Sequence, residues 1–297
     1  TAWSEPLEEE HIITVISRDD TYLIDPVGDS IEIEIYVPTF EKDILILDGT
    51  VEDASLPDFD GLITDEMTDS AYYEIFGGNR GDLIVDDRDF ARRRFPNFRT
   101  IRKYKMVVWV KDHFATVPYF AEESRNLEAY LHAGGKLVMI GSNIMQSFMD
   151  DSYYLIAPCE PCITYPAKFS SSGWNWFMNE ILHVNFGYIG DLIGNFNSAE
   201  GINQYSGLVL NPDTSKIADI WPNYNKLSNV DVVIEPGGFT VPILKLNSDD
   251  NYVDQKACGV RYYGSGFDVI YIGAPIWHME AEDAKLLGEK ILEDMDF

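Results

Sequence analysis

The sequence predicts an α/β fold of three layers, a mostly parallel sheet with helices on both faces, preceded by a short β segment. Three observations carry this. Apolar runs end in polar residues at Asp43 to Asp48, Met106 to Val110 and Leu137 to Ile140, as buried parallel strands do where they open on loops. Between them lies an amphipathic stretch, with Leu127, Tyr130 and Leu131 opposite Glu122, Glu123 and Glu128 and a stop at Gly134-Gly135. A final helix, Ala281 to Asp294, sets Ala284, Leu287, Ile291 and Leu292 on one face.

In chain order, the first forty residues read as strands: Ile12, Thr14 and Ile16, then Ile31, Ile33, Ile35 and Val37, with a turn at Asp25-Pro26-Val27-Gly28. Two strands do not fold alone. After Pro38 the DILILD run gives the first buried strand, Ser70 to Phe76 a helix and Leu83 to Val85 a short strand leading into Asp86 and Asp87. MVVWV follows and closes on Lys111-Asp112; then come the helix before Gly134 and the strand that ends at Ser142. Ser152 to Tyr252 reads as irregular, apart from a helix at Trp174 to Leu182 and short strands near Leu208 and Val230. The sheet resumes with Gly259 to Tyr262, a Gly264-Ser265-Gly266 turn and Val269 to Gly273. Two domains are expected, 1–40 and 41–297, the second with an irregular insertion at about 150–255.

The composition narrows the functional classes. Among 297 residues, 50 Asp and Glu face 22 Lys and Arg, a formal charge of −28 that repels phosphate backbones and anionic lipid surfaces. Nucleic acid is therefore not an expected partner. No apolar run reaches the roughly 18 to 20 residues of a membrane-spanning helix, so membrane insertion is not expected either.

Chemical motifs are sparse. There is no H-E-x-x-H, no G-x-x-x-x-G-K-[ST] and no G-x-G-x-x-G, and neither a metal nor a cofactor is expected. Cys159 and Cys162 form a C-x-x-C between prolines, open to three readings: a redox pair, half of a zinc site, or two unrelated residues. Asp58-Phe59-Asp60-Gly61 starts like a calcium loop, but its glycine comes two positions early and Asp69 stands where the bidentate Glu belongs. Gly77-Gly78-Asn79-Arg80-Gly81 follows a helix and reads as a cap and turn. Trp174, Trp176, Phe177, Tyr205 and Trp221 either stack on sugar rings or fill core beneath long loops.

Two resemblances complete the reading. Trp3-Ser4, Ser17-Arg18-Asp19-Asp20 and Ile24-Asp25-Pro26 resemble the last strands of immunoglobulin-like or fibronectin type III modules, which implies a secreted, periplasmic or cell-surface parent protein of bacterial origin. DILILDG at 43–49, Tyr104 to Trp109, LEAYLHAGGKLVMIGS at 127–142, NEIL at 179–182, GVRY at 259–262 and VIYIGAP at 269–275 resemble the class I glutamine amidotransferase-like, flavodoxin-like fold. The family's activity rests on a cysteine after the fourth strand, with a histidine and a glutamate two residues beyond it. Here Ser142 takes the cysteine's place and His278-Met279-Glu280 copies the H-x-E spacing. The expectation is therefore a non-catalytic binding or structural module of a larger protein; the alternative is a serine hydrolase using Ser142, His278 and Glu280. In either case a small molecule, a glycan or another domain of the parent protein would meet the carboxyl ends of the strands, where Asp48, Asp86, Lys111, Asp112, Ser142 and Asn143 converge.

Overall fold

In a computed structural model, the structure describes residues 10–15, 29–34, 36–48, 65–76, 84–85, 96, 98–111, 124–142, 144, 167–170, 177–189, 196–216, 227, 230–249, 251, 253–264 and 268–297. Strands β1 (Glu10–Val15) and β2 (Asp29–Glu34) form an antiparallel pair whose register joins Glu10 to Glu34 and Val15 to Asp29. Their hydrogen bonding is separate from that of the large sheet.

The large sheet begins as expected. Strands β3 (Lys42–Asp48), β4 (Ile84–Val85), β5 (Tyr104–Lys111) and β6 (Lys136–Gly141) are parallel, in the order β4, β3, β5, β6. Strands β3, β5 and β6 are apolar on both sides because both sides are covered. Ile44, Ile46, Met106, Val108, Val138 and Ile140 enter one core with helix α1 (Asp65–Phe76). Leu45, Leu47, Val107, Trp109, Leu137 and Met139 enter the other, with α2 (Phe98–Ile101) and α3 (Ser124–His132). Gly135 lets the chain leave α3 close to Tyr130, whose ring would meet a Cβ there at 2.3 Å.

Beyond β6 the pattern changes. Strands β7 (Ala167–Ser170), β8 (Val184–Ile189), β9 (Phe196–Gly201), β10 (Val209–Leu210), β11 (Val232–Pro236), β12 (Thr240–Ser248) and β13 (Ala257–Tyr262) all pair antiparallel. The last strand, β14 (Asp268–Ile272), joins the two halves: it runs antiparallel to β13 and parallel to β6. Helix α4 (Ala281–Asp294) then packs on α1.

The three-layer, mostly parallel, flavodoxin-like expectation is thus corrected to a mixed sheet in which antiparallel pairings outnumber parallel ones, with four α-helices among the described residues. The physical reason lies in the connections. Parallel neighbours need a crossover of a dozen or more residues, whereas the returns between β12, β13 and β14 are short and leave only antiparallel pairing. The stretch expected to be irregular holds much of this half-sheet. Its helix at Trp174 to Leu182 is, in the described part, a single π-helical turn, Phe177–Ile181. Among the described residues, no helix is long and apolar enough to cross a membrane.

Candidate functional site

Two polar arrangements stand out on the described surface and interior. The first lies at the carboxyl ends of β5, β6 and β14. Lys111, the last residue of β5, is 1% exposed, and its Nζ donates to the Ser142 carbonyl at 3.1 Å. The Ser142 N–H in turn donates to the Lys111 carbonyl at 2.7 Å. Gly141 permits this approach: it sits at φ +144°, and a Cβ there would lie 2.0 Å from the Lys111 oxygen. Facing them is Asp231, fully buried just before β11, with Oδ2 accepting from the Tyr271 hydroxyl at 2.5 Å. Burial lowers the Lys111 pKa to about 8, and the Asp231 charge offsets part of that shift.

The backbone of Asp48 ends β3, while Asp86, Asp112 and Asn143 lie outside the described residues, as do the C-x-x-C, the Asp58 loop, the Gly77 loop, Trp174, Trp176 and Trp221. Phe177 and Tyr205 are buried in the two cores, so they fill space instead of stacking on sugar. Asp231 and Tyr271 escaped the sequence reading, because a carboxylate in a stretch without periodicity and a tyrosine inside a strand carry no motif.

The serine hydrolase alternative is corrected here. Ser142 Oγ is buried and makes no hydrogen bond among the described residues, so no base is seated on it. His278 is held elsewhere, in the 3-10 turn Ile276–His278, where its carbonyl accepts from the Asp213 N–H at 2.8 Å. Glu280 is exposed and precedes α4.

The second arrangement is a cleft of about 610 Å³ between α1, α4 and the turn after β14. Ser70 and Glu74 line it from α1, Glu282 and Lys285 from α4, and Trp277 and Met279 from the turn, with Lys216 beside them. Its wall is heavily braced. Asn211 donates through both its backbone N–H and its Nδ2 to Asp283 Oδ2, each at 2.9 Å, and the Glu280 N–H donates to the Asn211 carbonyl at 2.8 Å. Pro212 bridges to Met279. The cleft thus offers an indole, carboxylates, an ammonium and a hydroxyl in a volume that suits a small ligand. Sequence reasoning missed it because Trp277 stands alone between an isoleucine and a histidine, and its partners come from residues 67–75, 216 and 281–285.

No family model matches the chain, and no curated protein matches it. Solved structures do. The GH42 β-galactosidase Gan42B, of which a catalytic mutant from G. stearothermophilus is also similar, is 14% identical with a TM-score of 0.47, covering 89% of this chain and 31% of that one. A β-galactosidase from Rahnella sp. is 10% identical with a TM-score of 0.46, covering 89% and 32%. One from the Antarctic haloarchaeon Halorubrum lacusprofundi is 14% identical with a TM-score of 0.43. The chain spans about a third of the length of these proteins. The expected resemblance to glutamine amidotransferase-like domains is corrected accordingly, since the structures found are glycoside hydrolases. The expected non-catalytic module is corrected to the same extent: the solved structures found are described as β-galactosidases.

Proposed function

We propose that this protein engages carbohydrate, and that the cleft beside Trp277 is where it does so. The observation that carries this reading is the lining: an indole next to Ser70, Glu74, Glu282 and Lys285 in about 610 Å³. A pyranose ring presents an apolar C–H face and a rim of hydroxyls. The first suits an aromatic side chain, and the second suits carboxylates, which accept, and an ammonium, which donates. The excess of acidic residues across the molecule, 50 against 22 basic, favours a neutral sugar over an anionic one.

The reading is tested by titrating methyl galactosides, methyl glucosides and their disaccharides against the full chain, using ligand-detected NMR and calorimetry. Trp277→Ala should weaken binding at least about tenfold, the scale of a lost aromatic contact, while the unfolding midpoint stays close to that of the parent. Absence of binding for every neutral sugar, or binding indifferent to Trp277→Ala, would overturn the assignment.

A further inference from the structure

Lys216 is held from several sides at once. Its Nζ donates to two carbonyls of the turn that carries the indole, Trp277 O at 2.8 Å and Met279 O at 3.2 Å. It also pairs with Asp213 Oδ2 at 3.6 Å and lies over the Trp277 ring, 4.4 Å from the centroid. Asp213 is itself fixed: its Oδ1 accepts from the Ser215 hydroxyl at 2.6 Å, which with other bonds holds its pKa below the usual carboxylate range.

From this we infer that Lys216 is the positioning residue of the sugar site: it locks the Trp277 indole and covers one of its faces, so the cleft presents a single aromatic face to a single sugar ring. This rests on the carbohydrate reading above. Two hydrogen bonds to the backbone at 277 and 279 fix the turn, and the cation over the ring fixes the side chain that the turn carries. An aromatic platform held in place before the ligand arrives loses less rotamer freedom on binding. A platform with one face already occupied cannot be sandwiched between two rings, so affinity should level off at one sugar unit.

The test compares the parent chain with Lys216→Met, which keeps the aliphatic stem but loses the charge and the donors, and with Lys216→Arg, which restores both. Six tryptophans are present, so the Trp277 signal is resolved by fluorine NMR of fluorotryptophan-labelled protein and assigned by its absence in Trp277→Phe. In Lys216→Met the Trp277 resonance should broaden or shift and sugar affinity should fall roughly five- to tenfold, with both recovering in Lys216→Arg. Mono- and disaccharides should bind the parent chain with affinities within about threefold of each other, for want of a second stacking face. An unchanged resonance in Lys216→Met would overturn the lock even if no sugar bound at all. A changed resonance with unchanged sugar affinity would overturn the positioning role while leaving the carbohydrate reading standing. If no sugar binds the parent chain, that reading fails and the resonance alone decides the lock.

Discussion

Lys111 is a cation without water around it. Its ordinary pKa of 10.5 applies in the unfolded chain, and burial brings it to about 8 in the fold. The folded state therefore sheds the proton first. Between about pH 8 and 10.5 the unfolded chain binds more protons, so this group's contribution to stability rises with pH across that window and is constant below it. Urea unfolding of the parent and Lys111→Met should show it: from pH 7 to pH 10 the parent should gain up to about 3 kcal/mol relative to the variant. A pH-independent difference would refute the burial account. What made Lys111 and Ser142 legible in sequence was their place, the first polar residues after MVVWV and LVMIG. Their partners were illegible because burial, not spacing, selects them: Asp231 arrives from another part of the sheet, and a backbone contact at Gly273, where a Cβ would lie 2.4 Å from the Asp231 carbonyl oxygen, brings it close. The H-x-E spacing of His278 and Glu280 misled for the converse reason. Sequence distance put them together, while the 3-10 turn and its bond from Asp213 hold His278 to other neighbours.

At the scale of elements, α1 and α4 touch through a glycine. A Cβ on Gly288 would lie 2.5 Å from Ile75 Cγ2 and 2.7 Å from the Ile75 carbonyl oxygen, so the two helices approach at backbone contact there. Gly288→Val should force them apart and cost about 2 kcal/mol. It should also weaken the sugar binding proposed for the cleft that the two helices wall, and calorimetry with denaturant unfolding measures both effects. Unchanged stability would show that the helices yield without strain. The apolar face of α4 was fully legible, since Ala284, Leu287, Ile291 and Leu292 recur at helical spacing and all are buried. Strand β12 was not, and Pro242 explains why. A proline argues against a central strand, yet here it sits at a register shift against β13, where the ladder tolerates it. Strand β9, with Asn197, Ser198 and Glu200, carries too little apolar alternation to announce itself, although Phe196 and Ala199 reach the core.

On the scale of the whole molecule, the boundary drawn near residue 40 is a proposal that deletion tests. Residues 36–40 are tied to the large fold: Arg102 donates to the Val37 carbonyl, the Thr39 N–H donates to the Arg102 carbonyl at 3.1 Å, and Phe40 packs edge-on against Tyr130. Strands β1 and β2 hydrogen-bond to each other in a sheet of their own. Removing residues 1–35 should therefore leave a cooperative melt close to that of the parent, whereas removing 1–40 should lower the midpoint by roughly a further 5 °C as these contacts go. Circular dichroism follows both, and a loss of folding in the shorter deletion would move the boundary. The parallel half of the sheet was legible because buried strands are nearly continuous apolar runs. Of the antiparallel half, the pair β13 and β14 was legible as two strands across a turn and β10 and β11 as short strands, while β7, β8, β9 and β12 were not, because their pairing is set by strands distant in sequence. That division also sets the order of events during synthesis. Strand β6 pairs with β14, roughly 130 residues later in the chain, so as the polypeptide leaves the ribosome β6 presents an open, apolar edge until nearly everything else has been made. The nascent chain spends that interval at its most adhesive, and a trigger-factor-like chaperone or a slow stretch of translation after β6 would shield it.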